Sequence, residues 1–215
     1  MAAIFWSNVG VDVQTALGSA ITLTAITKAN PAVCTYSGGT NPATGDYVNL
    51  TATGMYQVNS RPFRIASVNT TSKTFELESE DSTTYDTFVS GSIQVITFGA
   101  SMTTAQNINV SGGEPEYADV TTIHDNVKKR VPTIVSPLSL AMDAIFDLSD
   151  PAFIELNKAY KAKTTRVVRL RFGTGAKMLL TGYASASGVP TGQAQGVVQT
   201  KLSIEAQNLP TIYAS

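Results

Sequence analysis

Residues 166–183 read RVVRLRFGTGAKMLLTGY, and this stretch carries the grammar of an antiparallel sheet. In its first half Val168, Leu170 and Phe172 fall on one side, while Val167, Arg169 and Arg171 fall on the other, the period of a strand. Gly173-Thr174-Gly175 is a hairpin turn, so the stretch predicts strands over Arg166–Phe172 and Ala176–Tyr183. Immediately upstream, Asp150-Pro151 predicts a helix start, because Asp150 can cap free N–H groups and proline suits the first helical position. Phe153, Leu156 and Tyr160 form an apolar stripe on that helix. Lys158, Lys161 and Lys163 crowd its end, where the helix dipole favours cations, and Thr164-Thr165 closes it. Further out on either side lie two more strands. Leu138, Leu140, Met142 and Ala144 alternate with Ser139, Ala141 and Asp143. Val198, Thr200, Leu202 and Ile204 alternate with Val197, Gln199, Lys201, Ser203 and Glu205. Gly188–Gly196 between them reads as a flexible polar loop. The last hundred residues therefore predict a sheet with one packed helix.

The first third has a different pattern. Ile21–Thr27, Tyr47–Leu50, Phe63–Val68, Lys73–Leu77 and Ile93–Phe98 are short strand candidates punctuated by Asn30-Pro31, Gly38-Gly39, Asn41-Pro42 and Thr44-Gly45-Asp46. Such spacing without helical periodicity predicts a small β-barrel or sandwich of roughly 75 residues. The grammar changes near Ile96. The chain is thus read as a domain of residues 1–19 and 96–215, interrupted by a β-module at 20–95. Within Glu114–Pro132, apolar residues three or four apart favour a helix, whereas Thr121-Thr122 and Lys128–Arg130 oppose one. The expectation is a strand followed by a long exposed loop.

Composition narrows the function. Only 14% of the 215 residues are charged, and 28 Thr and 19 Ser fill the gap, which favours strands and turns over solvent-exposed helices. A sparsely charged surface also suits a subunit covered by copies of itself. The net charge of −1 argues against a broad basic face for nucleic acid. That small total conceals opposed blocks. Nine acidic and no basic residues lie between Glu76 and Asp125; ten basic and four acidic ones lie between Lys128 and Lys177. The blocks either face each other within a subunit or solvent, or they drive head-to-tail association. Met1–Gly10 lacks the basic and apolar regions of a signal peptide, and no stretch approaches the ~20 apolar residues of a membrane span. The expectation is a protein made and soluble in a reducing cytoplasm.

Catalytic constellations are not legible. The single Cys34 and single His124 exclude an intramolecular disulfide, paired-His metal motifs and Cys-rich sites. His124-Asp125 has no nucleophile elbow beside it. Gly173–Lys177 lacks the spacing of a phosphate loop. The acidic run Glu76–Asp81 lacks the ligand spacing of a calcium loop and reads as a solvated charged turn. Arg169 and Arg171 read as salt-bridge partners on an exposed sheet face. No catalytic residue, metal or cofactor is expected.

The segment Ile96-Thr97-Phe98-Gly99-Ala100 through Asp119-Val120-Thr121-Thr122-Ile123-His124-Asp125, then Lys128-Lys129-Arg130-Val131-Pro132, resembles the major tail tube protein of long, non-contractile-tailed bacteriophages. Asp150-Pro151-Ala152, the hairpin Arg166–Tyr183, Gly188–Ile204, Leu209-Pro210-Thr211 and Met1–Gly18 extend the resemblance over most of the chain. The part between Ala20 and Val95 resembles a small β-module of phage structural proteins, through Ile26–Val33, Val58–Arg64 and Thr74–Leu77.

The resemblance implies a mainly β fold: a tail-tube β-sandwich or barrel-like sheet with one packed α-helix, plus the inserted all-β module, which is expected on the tube exterior because a tube needs a lumen of constant bore. It also implies hexameric rings stacked into a hollow tube through which DNA is ejected. Its partners would be copies of itself, the tape measure protein and DNA transiently in the lumen, and tail tip and terminator proteins at the ends, with no membrane anchor. Its location would be the virion tail, after assembly in the host cytoplasm. A long loop reaching the neighbouring ring is implied, and Glu114, Glu116, Asp119, Asp125, Lys128, Lys129 and Arg130 are its candidate residues. A single-ring tail terminator or baseplate hub of the same fold is the alternative. A carbohydrate-binding or hydrolytic β-protein is disfavoured by the lack of paired carboxylates in a pKa-raising setting and by the single Trp6.

Overall fold

The computed structural model describes residues 9–214, so Trp6 and the first eight residues of the N-terminal resemblance lie outside the described residues. Among these residues the fold is mainly β, with one α-helix and a closed six-strand barrel that has further strands outside it. In chain order the strands are β1 (Gly10–Leu17), β2 (Ile21–Ile26), β3 (Val33–Ser37), β4 (Tyr47–Thr53), β5 (Arg61–Asn69), β6 (Thr74–Leu77) and β7 (Ser90–Met102). They continue as β8 (Ala105–Ser111), β9 (Pro115–Asp119), β10 (Arg130–Val135) and β11 (Ser139–Ile145). After helix α1 (Pro151–Ala162) come β12 (Thr165–Arg171), β13 (Lys177–Ser185), β14 (Pro190–Thr191), β15 (Gln199–Ala206) and β16 (Thr211–Tyr213).

The barrel runs β2-β3-β6-β5-β4-β7 and closes by pairing β7 back onto β2. Alternation fills it: Leu23, Cys34, Tyr36, Val48, Leu50, Phe63, Ile65, Phe75, Leu77 and Ile93 point inward to one buried core. Strand β7 then runs on without a break. Its first half, through Val95, pairs with β4; its second half, Ile96–Met102, pairs with β1. The change of grammar near Ile96 therefore falls within one continuous strand.

Beyond β1 the order is β12-β13-β15-β11-β8. Strands β1 and β11 are four neighbours apart, roughly 19 Å along a flat sheet. Yet Val11 and Val13 of β1 share one core with Leu140 and Met142 of β11. The sheet must fold over on itself into two layers. One layer is β7-β1-β12 with the start of β13; the other is the end of β13 with β15-β11-β8. Helix α1 packs against β13, β7 and β1. Asp150 fixes it there. One carboxylate oxygen accepts from the N–H groups of Ala152 (2.9 Å) and Phe153 (3.1 Å), while the other accepts from Thr103 N–H and Thr104 Oγ1, both 3.1 Å, just past β7.

Several expectations change. On the helix Phe153 and Leu156 are buried but Tyr160 is 44% exposed, and the buried Ala152 and Ala159 complete the stripe. The loop Gly188–Gly196 contributes β14, which pairs with β15. The acidic turn is not wholly solvated. Glu80 is 8% exposed and receives Arg61 at 2.6 and 3.2 Å and the Tyr85 hydroxyl at 2.6 Å, and Glu78 pairs with Arg64. Arg169 and Arg171 are salt-bridge partners on one sheet face as expected, but only Arg171 is exposed. Both guanidiniums bind Asp12 of β1, which is 3% exposed, at 2.5–2.9 Å. Arg169 also lies over the rings of Phe98 and Tyr47, 4.3 and 5.1 Å from their centroids. Burial raises the Asp12 pKa, but Arg171, Ser101 and Arg169 together outweigh it and hold the carboxyl below the usual range.

Barrel and sandwich meet across this face. The Arg64 N–H donates to the Tyr213 hydroxyl at 2.7 Å, and the Arg64 guanidinium covers the Tyr213 ring. The Asn208 amide donates to the Asn59 carbonyl at 2.7 Å. The barrel thus sits on the outer side of the β7-β1-β12 layer, and the opposite layer faces away from it.

Candidate assembly surfaces

All seven residues singled out in the sequence lie together on one projecting hairpin. Strands β9 and β10 pair only with each other, and every residue of both is exposed. This arm continues the β8–β11 hairpin outward from the sheet. Gly112 and Gly113 both have φ of +79°, and a Cβ on Gly112 would come within 2.0 Å of the Pro137 carbonyl oxygen. Only glycine lets the chain turn out of the sheet so close to its partner strand.

Within the arm the charges are unevenly engaged. Asp125 takes Lys129, and accepts from Thr122 through its N–H (3.0 Å) and hydroxyl (2.9 Å), which together lower its pKa. Asp119 accepts from the Thr121 N–H at 2.9 Å, and its carboxyl is likewise held low by Thr121. It is the cross-strand register partner of Arg130. Among the described residues Lys128, Arg130, Glu114 and Glu116 form no ion pair within the chain. The arm also carries apolar side chains that the sequence reading assigned to helical spacing. Tyr117, Val120, Ile123, Val127 and Val131 are all exposed, Ile123 by 96%, and Ile134, outside that spacing, is exposed beside them. A monomer gains nothing by holding such a set in water.

Two strand edges are also unpaired among the described residues. Strand β8 ends the sheet at one side, and the Ile96–Met102 half of β7 pairs only with β1 at the other. Between them, the outward face of β8-β11-β15 is mostly polar. Asn107 donates to Asp143 at 3.4 Å, Asp143 stands opposite Lys201, and Ser139 donates to Glu205 at 2.7 Å.

The groups that invite a catalytic reading stand apart from one another. Cys34 is buried in the barrel, and burial pushes its thiol pKa well up, which disfavours the thiolate. His124 is exposed on the arm. Gly173–Gly175 closes the β12–β13 hairpin, with the Phe172 N–H donating to the Ala176 carbonyl at 2.9 Å. No described helix is long and apolar enough to cross a membrane.

Free strand edges, an unpartnered apolar arm and a two-layer body define a subunit of a self-assembling structural protein. The family model for phage tail tube protein matches residues 53–215, about three quarters of the chain, and the chain belongs to that family. The match begins within β4, so it takes in half of the barrel and the greater part of the sandwich. No curated protein matches the chain. The chain is therefore a structural component of the phage tail, where it assembles with copies of itself into the tube.

Proposed function

We propose that six copies close into a ring by pairing the β8 edge of one subunit with the β7 edge region of the next, and that rings stack into a hollow tube for DNA ejection. The observation that carries this reading is the pair of edges that stay open among the described residues at opposite ends of the sandwich sheet, which a closed ring would satisfy. The layer β13-β15-β11-β8 would form the wall of the bore. The face it would turn inward carries Asp143 and Glu205 against Lys201, so it offers DNA no adhesive positive field.

On the same reading the barrel is a module at residues 20–95 on the tube exterior, because it packs on the layer facing away from the bore. The arm, with Glu114, Glu116, Asp119, Asp125, Lys128, Lys129 and Arg130, makes the inter-ring contact. The tape measure protein and DNA occupy the lumen in turn, tail tip and terminator proteins bind the ends, and assembly takes place in the host cytoplasm. Native mass spectrometry of the purified protein tests the ring. Hexamers and their multiples are expected, and a monomer–dimer mixture at all concentrations contradicts it. Hexamers that never stack would favour a single-ring terminator or hub.

A further inference from the structure

The arm leaves one end of the strands β8, β11 and β15, beside Ser111, Ser139 and Glu205. At the other end of those strands lies a second unpartnered apolar surface. Ile145 ends β11, Val197 and Val198 lead into β15, and the Phe146 N–H donates to the Val198 carbonyl at 2.9 Å, so these residues are neighbours. Leu148 follows one turn later. All four are exposed, Leu148 by 60%.

We propose that Ile145, Leu148, Val197 and Val198 form the seat for the arm of a copy in the adjoining ring. The inference rests on the reading of the arm as the inter-ring element and adds its receiving surface. Three observations commit the seat to a second copy of this chain. The two apolar sets lie at opposite ends of one strand direction, the arrangement that a head-to-tail stack brings together and a two-fold dimer does not. Their charges are complementary. Among the described residues Lys128 and Arg130 form no ion pair, and the seat presents the exposed carboxylate of Asp147, which accepts from Ser149. Reach is sufficient. The arm from Glu114 to Ile123 extends up to about 30 Å and the seven-residue β11 spans about 23 Å, so an arm crosses a ring junction with length to spare.

The test uses the full-length chain. Leu148→Asp combined with Val198→Asp places charge on side chains already in solvent, so folding and ring closure are expected to persist while tube yield falls at least tenfold. Normal tubes from this variant overturn the seat. Cysteines supply the second measurement, with the native Cys34 buried and silent. Leu148→Cys paired with Ile123→Cys, and separately with Ile134→Cys, should give inter-subunit disulfides in assembled tubes for at least one pair. Tubes that form without a cross-link in either pair overturn the seat. Ile123→Asp separates the two claims. If it blocks stacking while the seat variant does not, only the seat falls; if it stacks normally, the arm reading falls with it.

Discussion

Replacing Asp12 with Asn should loosen the joint on which barrel and sandwich meet. The Asp12 carboxylate accepts five hydrogen bonds, one from Ser101, two from Arg169 and two from Arg171. An amide keeps the shape but loses the charge, and it turns an N–H₂ group toward guanidinium donors. Removing one partner from a buried ion pair costs about 3–5 kcal/mol, since the remaining charge stays desolvated. The Arg171 side chain is 47% exposed, so water screens its share and the lower end, about 3 kcal/mol, is the better figure. For a chain of this size that is a fall of roughly 6–12 °C in Tm. Thermal unfolding must be compared at one protomer concentration, because assembly adds stability by mass action.

The pH dependence supplies an independent check. The native pKa of Asp12 lies below its unfolded value of about 3.9, so its contribution is full above pH ~4 and disappears as pH falls through the native pKa. The gap between wild type and Asp12→Asn should therefore be constant near neutrality and close in strong acid. A Tm within a degree or two of wild type at pH 7 would refute this account of the joint.

Glu80→Gln strands Arg61 inside the barrel and should cost about 3 kcal/mol or more, read as a lower urea midpoint with an unchanged slope. Lys128→Glu with Arg130→Glu, leaving Lys129 on Asp125, should shorten tubes and make the residual assembly insensitive to salt; tubes of normal length and salt response would remove the arm from the interface. Deleting Ala20–Val95 is geometrically mild, because Leu17 and Ile96 are register partners that Gly18-Ser19 can join as a hairpin. The shortened chain should fold cooperatively with lower stability, having lost Tyr47 over Arg169 and Arg64 over Tyr213; an absence of soluble folded protein would place the fold boundary elsewhere.

The parts legible in the sequence are those where one local rule acts alone. Asp150-Pro151 starts the helix, Gly173–Gly175 turns the hairpin, and the alternation through Leu202 and Ile204 makes a strand, all near the expected residues. Strand β1 escaped because both of its faces are buried. Val11 and Val13 enter the core while Asp12 and Gln14 are buried as partners of Arg169, Arg171 and the Val167 N–H, so polarity masked the strand. Strand β8 escaped because an edge strand with a polar outer face carries little apolar signal.

The arm was the ambiguous case. Tyr117, Val120, Ile123 and Val127 are spaced as on a helix, but Gly112-Gly113 lead into a hairpin whose apolar residues are exposed, with Pro132 in its second strand. Its charged residues were legible as a group, whereas its apolar ones became visible as a surface only through their exposure. The pairs Arg61–Glu80 and Asp12–Arg169 join residues far apart in sequence, and no local pattern announces them.

Electron cryo-microscopy of the purified protein tests the central claim most directly. Stacked hexameric rings are expected, with the outward face of β8, β11 and β15 lining an open bore and the 20–95 barrel on the outside. Solid filaments, persistent monomers, or a bore filled by the barrel would contradict the account.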